Sequence, residues 1–157
     1  MKTMALVRVL AVGGATWVFL LAGQAQAQAL DLTLSTTAIT FASADPDTTP
    51  SIPAAVVTLT YRIRGGGSIS YRITVMASDD LRSGSATIPV SLVTWTATPA
   101  PPFQNGTMSR TAAQTLASGV STSQGSKTGY VVFSLENRWT HNPGTYTASI
   151  AFTLVAP

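Results

Sequence analysis

The sequence predicts an all-β protein, an antiparallel sandwich of about seven strands that follows an N-terminal export signal. Three observations carry this. Apolar and hydroxylated residues alternate with a two-residue period in several segments, as half-buried strands require. Clusters of Gly, Pro, Asn and Ser separate those segments at the spacing of turns. No segment beyond the leader repeats its apolar residues with a helical period.

The leader comes first. Lys2 and Arg8 supply a basic n-region, residues 9–21 an apolar h-region, and Ala25-Gln26-Ala27 a small-x-small cleavage site. This predicts a signal peptide over residues 1–27 and a mature chain that starts at Gln28. The apolar run of residues 4–23 approaches bilayer-spanning length, so an uncleaved anchor is the alternative. Gly13, Gly14 and the polar Ala/Gln run after Leu21 favour cleavage. Leu21-Ala22-Gly23 is followed by Gln24 rather than by cysteine, so lipid attachment there is chemically unavailable. The expectation is a secreted, periplasmic or cell-surface protein with no membrane insertion after signal cleavage.

About 130 residues remain, the size of one domain, and they are expected to form a single sandwich over residues 28–157. A chain of this length buries enough surface to hold a core without staples, which fits the lack of cysteine in an exported protein. Charge is sparse: Arg62, Arg64, Arg72, Arg82, Arg110, Lys127 and Arg138 stand against Asp31, Asp45, Asp47, Asp79, Asp80 and Glu136. Phosphate binding wants a dense basic face, so nucleic acid is not an expected partner.

In the first mature segment, residues 30–35, Leu30, Leu32 and Leu34 alternate with polar residues, and residues 38–42 are read as a further strand. After a turn-rich stretch over 45–53, Val57, Leu59, Tyr61 and Ile63 alternate with Thr58, Thr60, Arg62 and Arg64. Gly65-Gly66-Gly67 interrupts, and Ile69, Tyr71, Ile73 and Val75 then alternate with Ser70, Arg72 and Thr74. With the three glycines as the loop, Ile63 faces Ile69, Tyr61 faces Tyr71, Leu59 faces Ile73 and Val57 faces Val75. A two-residue loop would set Ile63 against Ser70, so the pattern predicts a hairpin in the three-residue register. Further strands are expected at 88–97, 107–109, 128–135 and, more weakly, 115–117. Turn-rich stretches lie at 78–85, 99–106 and 118–127. After Asn142-Pro143-Gly144, Tyr146, Ala148, Ile150, Phe152 and Leu154 alternate with polar or small residues in a closing strand. Such spacing points to an immunoglobulin-like sandwich, with a small barrel as the alternative.

Chemistry is thin. His141 is the single histidine and sits beside a turn, with no nucleophile-elbow pattern to make a triad. Glu136 is the single glutamate, so the paired carboxylates of a glycosidase lack a clear source. One histidine and no cysteine argue against zinc. Asp45-Pro46-Asp47 and Asp79-Asp80 have oxygen ligands suited to calcium, but not the ligand density of a calcium loop. The sequence therefore assigns no catalytic residue, metal or cofactor, and predicts a protein that is not an enzyme.

Candidate binding residues are few. Arg62, Arg64 and Arg72 share the outer face of the expected hairpin, where they would form a small cationic patch or discourage edge-to-edge aggregation. Trp95 and Trp139 are either core residues or a sugar-stacking platform. Phe103, beside three prolines in the 99–105 loop, is a candidate contact at one end of the sandwich, and the 118–127 loop is another. Asn105-Gly106-Thr107 matches a glycosylation sequon but reads first as a turn. Leu30, Leu32 and Leu34 would pair in the chain's own sandwich or complete a neighbour's sheet.

The run Pro143-Gly144-Thr145-Tyr146-Thr147-Ala148-Ser149-Ile150-Ala151-Phe152-Thr153-Leu154 resembles the closing strand of bacterial surface sandwiches, namely spore-coat-U and fimbrial subunit domains, and the end of WxL cell-surface domains. The chain carries Trp95-Thr96-Ala97 and Trp139-Thr140-His141 where WxL domains have Trp-x-Leu, and it lacks the cysteines common in pilins. The resemblance implies a non-catalytic structural role, as a fimbria-like or coat subunit, with self-association or other cell-surface proteins as partners. The alternative is a module that binds glycan or protein through loops at one end of the sandwich.

Overall fold

The computed structural model describes residues 29–142 and 144–156. The signal peptide over 1–27 and the start of the mature chain at Gln28 lie outside the described residues. The chain is all-β and antiparallel. Its strands are β1 (Ala29–Leu34), β2 (Ser51–Pro53), β3 (Val57–Arg64), β4 (Ile69–Ala77), β5 (Leu81–Ser83), β6 (Ala86–Ile88), β7 (Val93–Thr98), β8 (Gly106–Thr107), β9 (Gln114–Ser121), β10 (Lys127–Glu136) and β11 (Ile150–Val155), with one 3-10 turn at Val90–Leu92. The strands β2, β5, β6 and β8 span three residues or fewer. The eleven strands of the described residues exceed the seven or so expected: seven have six residues or more, β2 and β5 fall inside stretches read as turns, and β6 and β8 are short remnants that touch the expected strands 88–97 and 107–109.

Two layers pack face to face. One sheet runs β1-β3-β10-β7-β8, with β2 also paired to β10, the other layer runs β11-β4-β9, and β5 and β6 form a separate two-stranded sheet. From β3 onward the long strands alternate between layers. The protein thus shares the two-layer architecture of an immunoglobulin-like sandwich with a strand order of its own. Inward positions of β3, β4, β7 and β10 are buried at every second residue. The largest side chains inside are Trp95, Tyr61, Phe133, Leu59 and Ile73. Phe133 of one sheet meets Phe152 of the other edge-on, with ring centroids 6.3 Å apart.

The expected β3–β4 hairpin does not form. β3 pairs with β1 and β10, β4 pairs with β11 and β9, and residues 65–68 carry the chain from one layer to the other. The physical reason lies in the same alternation that suggested the hairpin. Side by side in one sheet, two strands with fully apolar faces need another layer to cover them; folded over as an arch, they cover each other. Gly67 takes φ +79°, a conformation that glycine adopts without a Cβ penalty, within this crossing. The expected facing of Tyr61 and Tyr71 survives across the core: their hydroxyls are 2.8 Å apart and their rings 5.3 Å.

Further segments depart from the sequence reading, and the closing strand expected from Tyr146 starts only at Ile150. Residues 38–42 form no strand; Ile39 and Phe41 pack instead against the margin of the core. The span 88–97 is broken by the 3-10 turn, which separates β6 from β7. β9 is longer than expected and bulged, because Ile73 pairs with Ala117 but Thr74 pairs with Thr115. The extra residue turns both Leu116 and Ala117 into the core, which erases the two-residue rhythm that would have marked the strand.

Candidate functional site

The two flanks of the sandwich differ, and the difference organises the surface. On the β7–β9 flank, the segment between β7 and β8 is stitched to both layers. Gln104 N–H donates to Leu116 O at 2.9 Å and Ser118 N–H to Pro102 O at 3.2 Å, which occupies the outer edge of β9. Trp95 Nε1 donates to Gln104 O at 3.0 Å, and Asn105 Oδ1 accepts from Ala97 N–H at 2.9 Å. Phe103 is at the centre of this plug, 3% exposed, with its ring against Gly129 and edge-on to Tyr61. It is therefore a core residue and not a loop contact. Proximity to three prolines suggested an exposed tip, whereas the segment folds inward because the gap between β7 and β9 has to be filled. Asn105 likewise spends its side-chain carbonyl on the sheet.

The opposite flank is open. β1 terminates the first sheet and β11 terminates the second, and the two strands approach each other along this side. β1 lies in its own sandwich, paired with β3 from Ala29↔Arg64 to Leu34↔Leu59. Leu32 and Leu34 pack against the core, whereas Leu30 is 37% exposed. β11 reads Ile-Ala-Phe-Thr-Leu-Val, with no charge and no proline along an edge that no strand of the described residues pairs. Among the described residues, neither edge has a further strand beside it. Where the flank widens, residues 36–41 and 145–150 bound a cleft of about 400 Å³ floored by Val57, Val93 and Phe133, with no charged side chain in its lining.

The cationic patch does not assemble. It depended on the hairpin, and with β3 and β4 in opposite layers, Arg62 and Arg64 lie on the outer face of one sheet and Arg72 on the outer face of the other. Arg62 Nε donates to Gln124 O at 2.7 Å, and Arg64 pairs with Asp31 at 2.8 Å. The tryptophans are separated as well. Trp95 is 2% exposed in the core, whereas Trp139 is 69% exposed in the turn after β10.

The acidic pairs are occupied by protein donors. Asp79 accepts the N–H of Asp80 and holds Arg82 at 2.8 Å, which in that order keep its carboxyl below the usual carboxylate range. Asp80 Oδ1 accepts from Val90 N–H at 3.0 Å, and Arg110 lies 3.4 Å from the same oxygen. Asp45 Oδ1 caps the N–H of Asp47, and Asp47 Oδ1 accepts from Trp139 Nε1 at 3.0 Å. His141 is joined to its turn by its backbone N–H, which donates to Arg138 O at 3.1 Å. Among the described residues, no three His, Cys, Asp or Glu side chains gather as a metal site would need. No helix of the described residues is long and apolar enough to cross a membrane. No protein-family model matches the chain, and no curated protein matches it.

Proposed function

We propose that this is a non-catalytic, exported structural or surface-associated protein, of the fimbria-like or coat-subunit kind, which assembles with copies of itself through its open flank. The observation that carries the reading is the uncharged edge of β11 beside the edge of β1. Sandwiches that remain monomeric blunt such edges with charges, proline, bulges or a covering loop, because a row of unpaired N–H and C=O groups is a template for another strand. Among the described residues, this chain covers the β7–β9 flank with the Phe103 plug and places no charge or proline on β11, so that the other flank carries only Asp31 on β1 and residues 36–41 beside the cleft. The alternative of a loop-based binding module loses Phe103, which is buried, and keeps of its second loop only residues 122–126, between β9 and β10.

Sedimentation velocity of residues 28–157 tests the reading. Ala151 and Thr153 are exposed on β11, so Ala151→Lys with Thr153→Lys adds charge beside the edge without entering the core. The wild-type chain is expected to associate in the micromolar range, and the double variant to sediment as a folded monomer. A wild-type chain that stays monomeric as concentration is raised overturns the proposal.

A further inference from the structure

We propose that Trp139 is a stacking platform for a β-linked, gluco-configured polysaccharide, a site separate from the strand edges. Trp139 is the most exposed of the large apolar side chains among the described residues. An indole left in water forgoes most of the burial free energy of the largest side chain, so an exposed one is informative when it is also fixed. Trp139 is fixed. Its Nε1–H donates to Asp47 Oδ1 at 3.0 Å, and the loop that carries Asp47 is clamped to the residue two before it. Asn137 Nδ2 donates to Ala44 O and Thr49 O, each at 3.0 Å, and Asn137 N–H donates to Pro50 O at 2.9 Å.

The bond to Asp47 decides what the ring can offer. Its one polar donor is consumed by Asp47, so a ligand meets the π face and not an N–H. That face carries partial negative charge and attracts weakly positive C–H groups. A pyranose with all its hydroxyls equatorial presents a flat array of axial C–H bonds, and a β-linked chain repeats that flat surface. The surroundings fit hydroxyl groups. Arg138 and Glu136, the first next to Trp139 in the chain, form an exposed pair at 2.7 Å, and Asp47 Oδ2 makes no hydrogen bond among the described residues. A protein partner would instead want apolar neighbours around the aromatic anchor. The exposed Tyr130 is six residues back along β10 from the strand end at Glu136, about 20 Å away. The platform shares no residue with β1 or β11, so it stands or falls independently of edge assembly.

Titration of residues 28–157 with cellohexaose, followed by tryptophan fluorescence and calorimetry, tests the site, with maltohexaose as the α-linked control. Cellohexaose is expected to bind saturably and maltohexaose more weakly. Trp139→Ala is expected to lower affinity roughly tenfold or more, and Trp139→Phe to lose less, as removal and trimming of one aromatic face would do. Asp47→Ala, which frees the ring from its tether, is expected to weaken binding a few-fold. Absence of saturable cellohexaose binding at millimolar concentration overturns the proposal, as does equal binding by Trp139→Ala. A change in sedimentation of Trp139→Ala without a change in sugar affinity overturns it too, since the ring would then be a protein contact.

Discussion

Tyr61 and Tyr71 face each other across the two layers, 2% and 5% exposed, and each hydroxyl has the other as its hydrogen-bond partner. Replacing Tyr61 with Phe removes that bond and leaves the Tyr71 hydroxyl buried without a partner, which costs about 1–3 kcal/mol. For a domain of this size each kcal/mol moves the melting temperature by roughly 4 °C, so the loss is readable by calorimetry. Tyr71→Phe should cost a similar amount. Replacing both removes two polar groups together and should be close to neutral, so the two single losses should exceed the double loss by at least about 1 kcal/mol. Alkaline stability gives a second reading. Burial, followed by the bond to Tyr71, holds the Tyr61 phenol well above its usual range. The neutral form is therefore favoured in the folded state. The contribution is full below the unfolded value near 10 and is lost as pH rises beyond it, and the double-Phe variant should lack that loss. Single losses that simply add, with an unchanged alkaline limb, would refute the shared bond.

Phe103→Ala should destabilise the domain by about 3–5 kcal/mol in urea unfolding, because it empties the plug between the layers. A surface contact residue would cost far less. Gly129→Ala presses a methyl group into the Phe103 ring and should cost about 1–3 kcal/mol by the same assay. Asp79 is held below the usual carboxylate range by the Asp80 N–H and Arg82, so its contribution is present above the unfolded value and is lost as pH falls through the folded one. Acid unfolding of Asp79→Asn, followed by circular dichroism, should show a correspondingly flatter dependence on pH.

Strand existence was legible because the core has two apolar faces and each strand shows one of them. The alternations in β3, β4, β10 and β11 predict strands within a residue or two, apart from the early start given to β11. Layer assignment was not legible. Alternation specifies which side chains turn inward but not which sheet owns them, so β3 and β4 read as a hairpin when they form an arch. That single ambiguity produced the patch of Arg62, Arg64 and Arg72, since it placed opposite outer faces on one surface. β9 was obscured by its bulge, and Phe103 by its prolines. Of the surface features, the charge-free run of β11 was visible in the residues, but its position at a sheet edge follows from topology alone. Trp139 was visible as an aromatic, whereas its exposure and its tether to Asp47, 92 residues away, belong to the fold.

Amide hydrogen exchange of residues 28–157, recorded at low and high protein concentration, tests edge assembly most directly. Edge amides that another copy pairs must slow as copies accumulate. The account predicts that amides of β11, and of β1 beside it, gain protection with concentration, while those of β10, paired on both sides within the chain, stay unchanged. Protection in β1 and β11 that does not vary with concentration would contradict it.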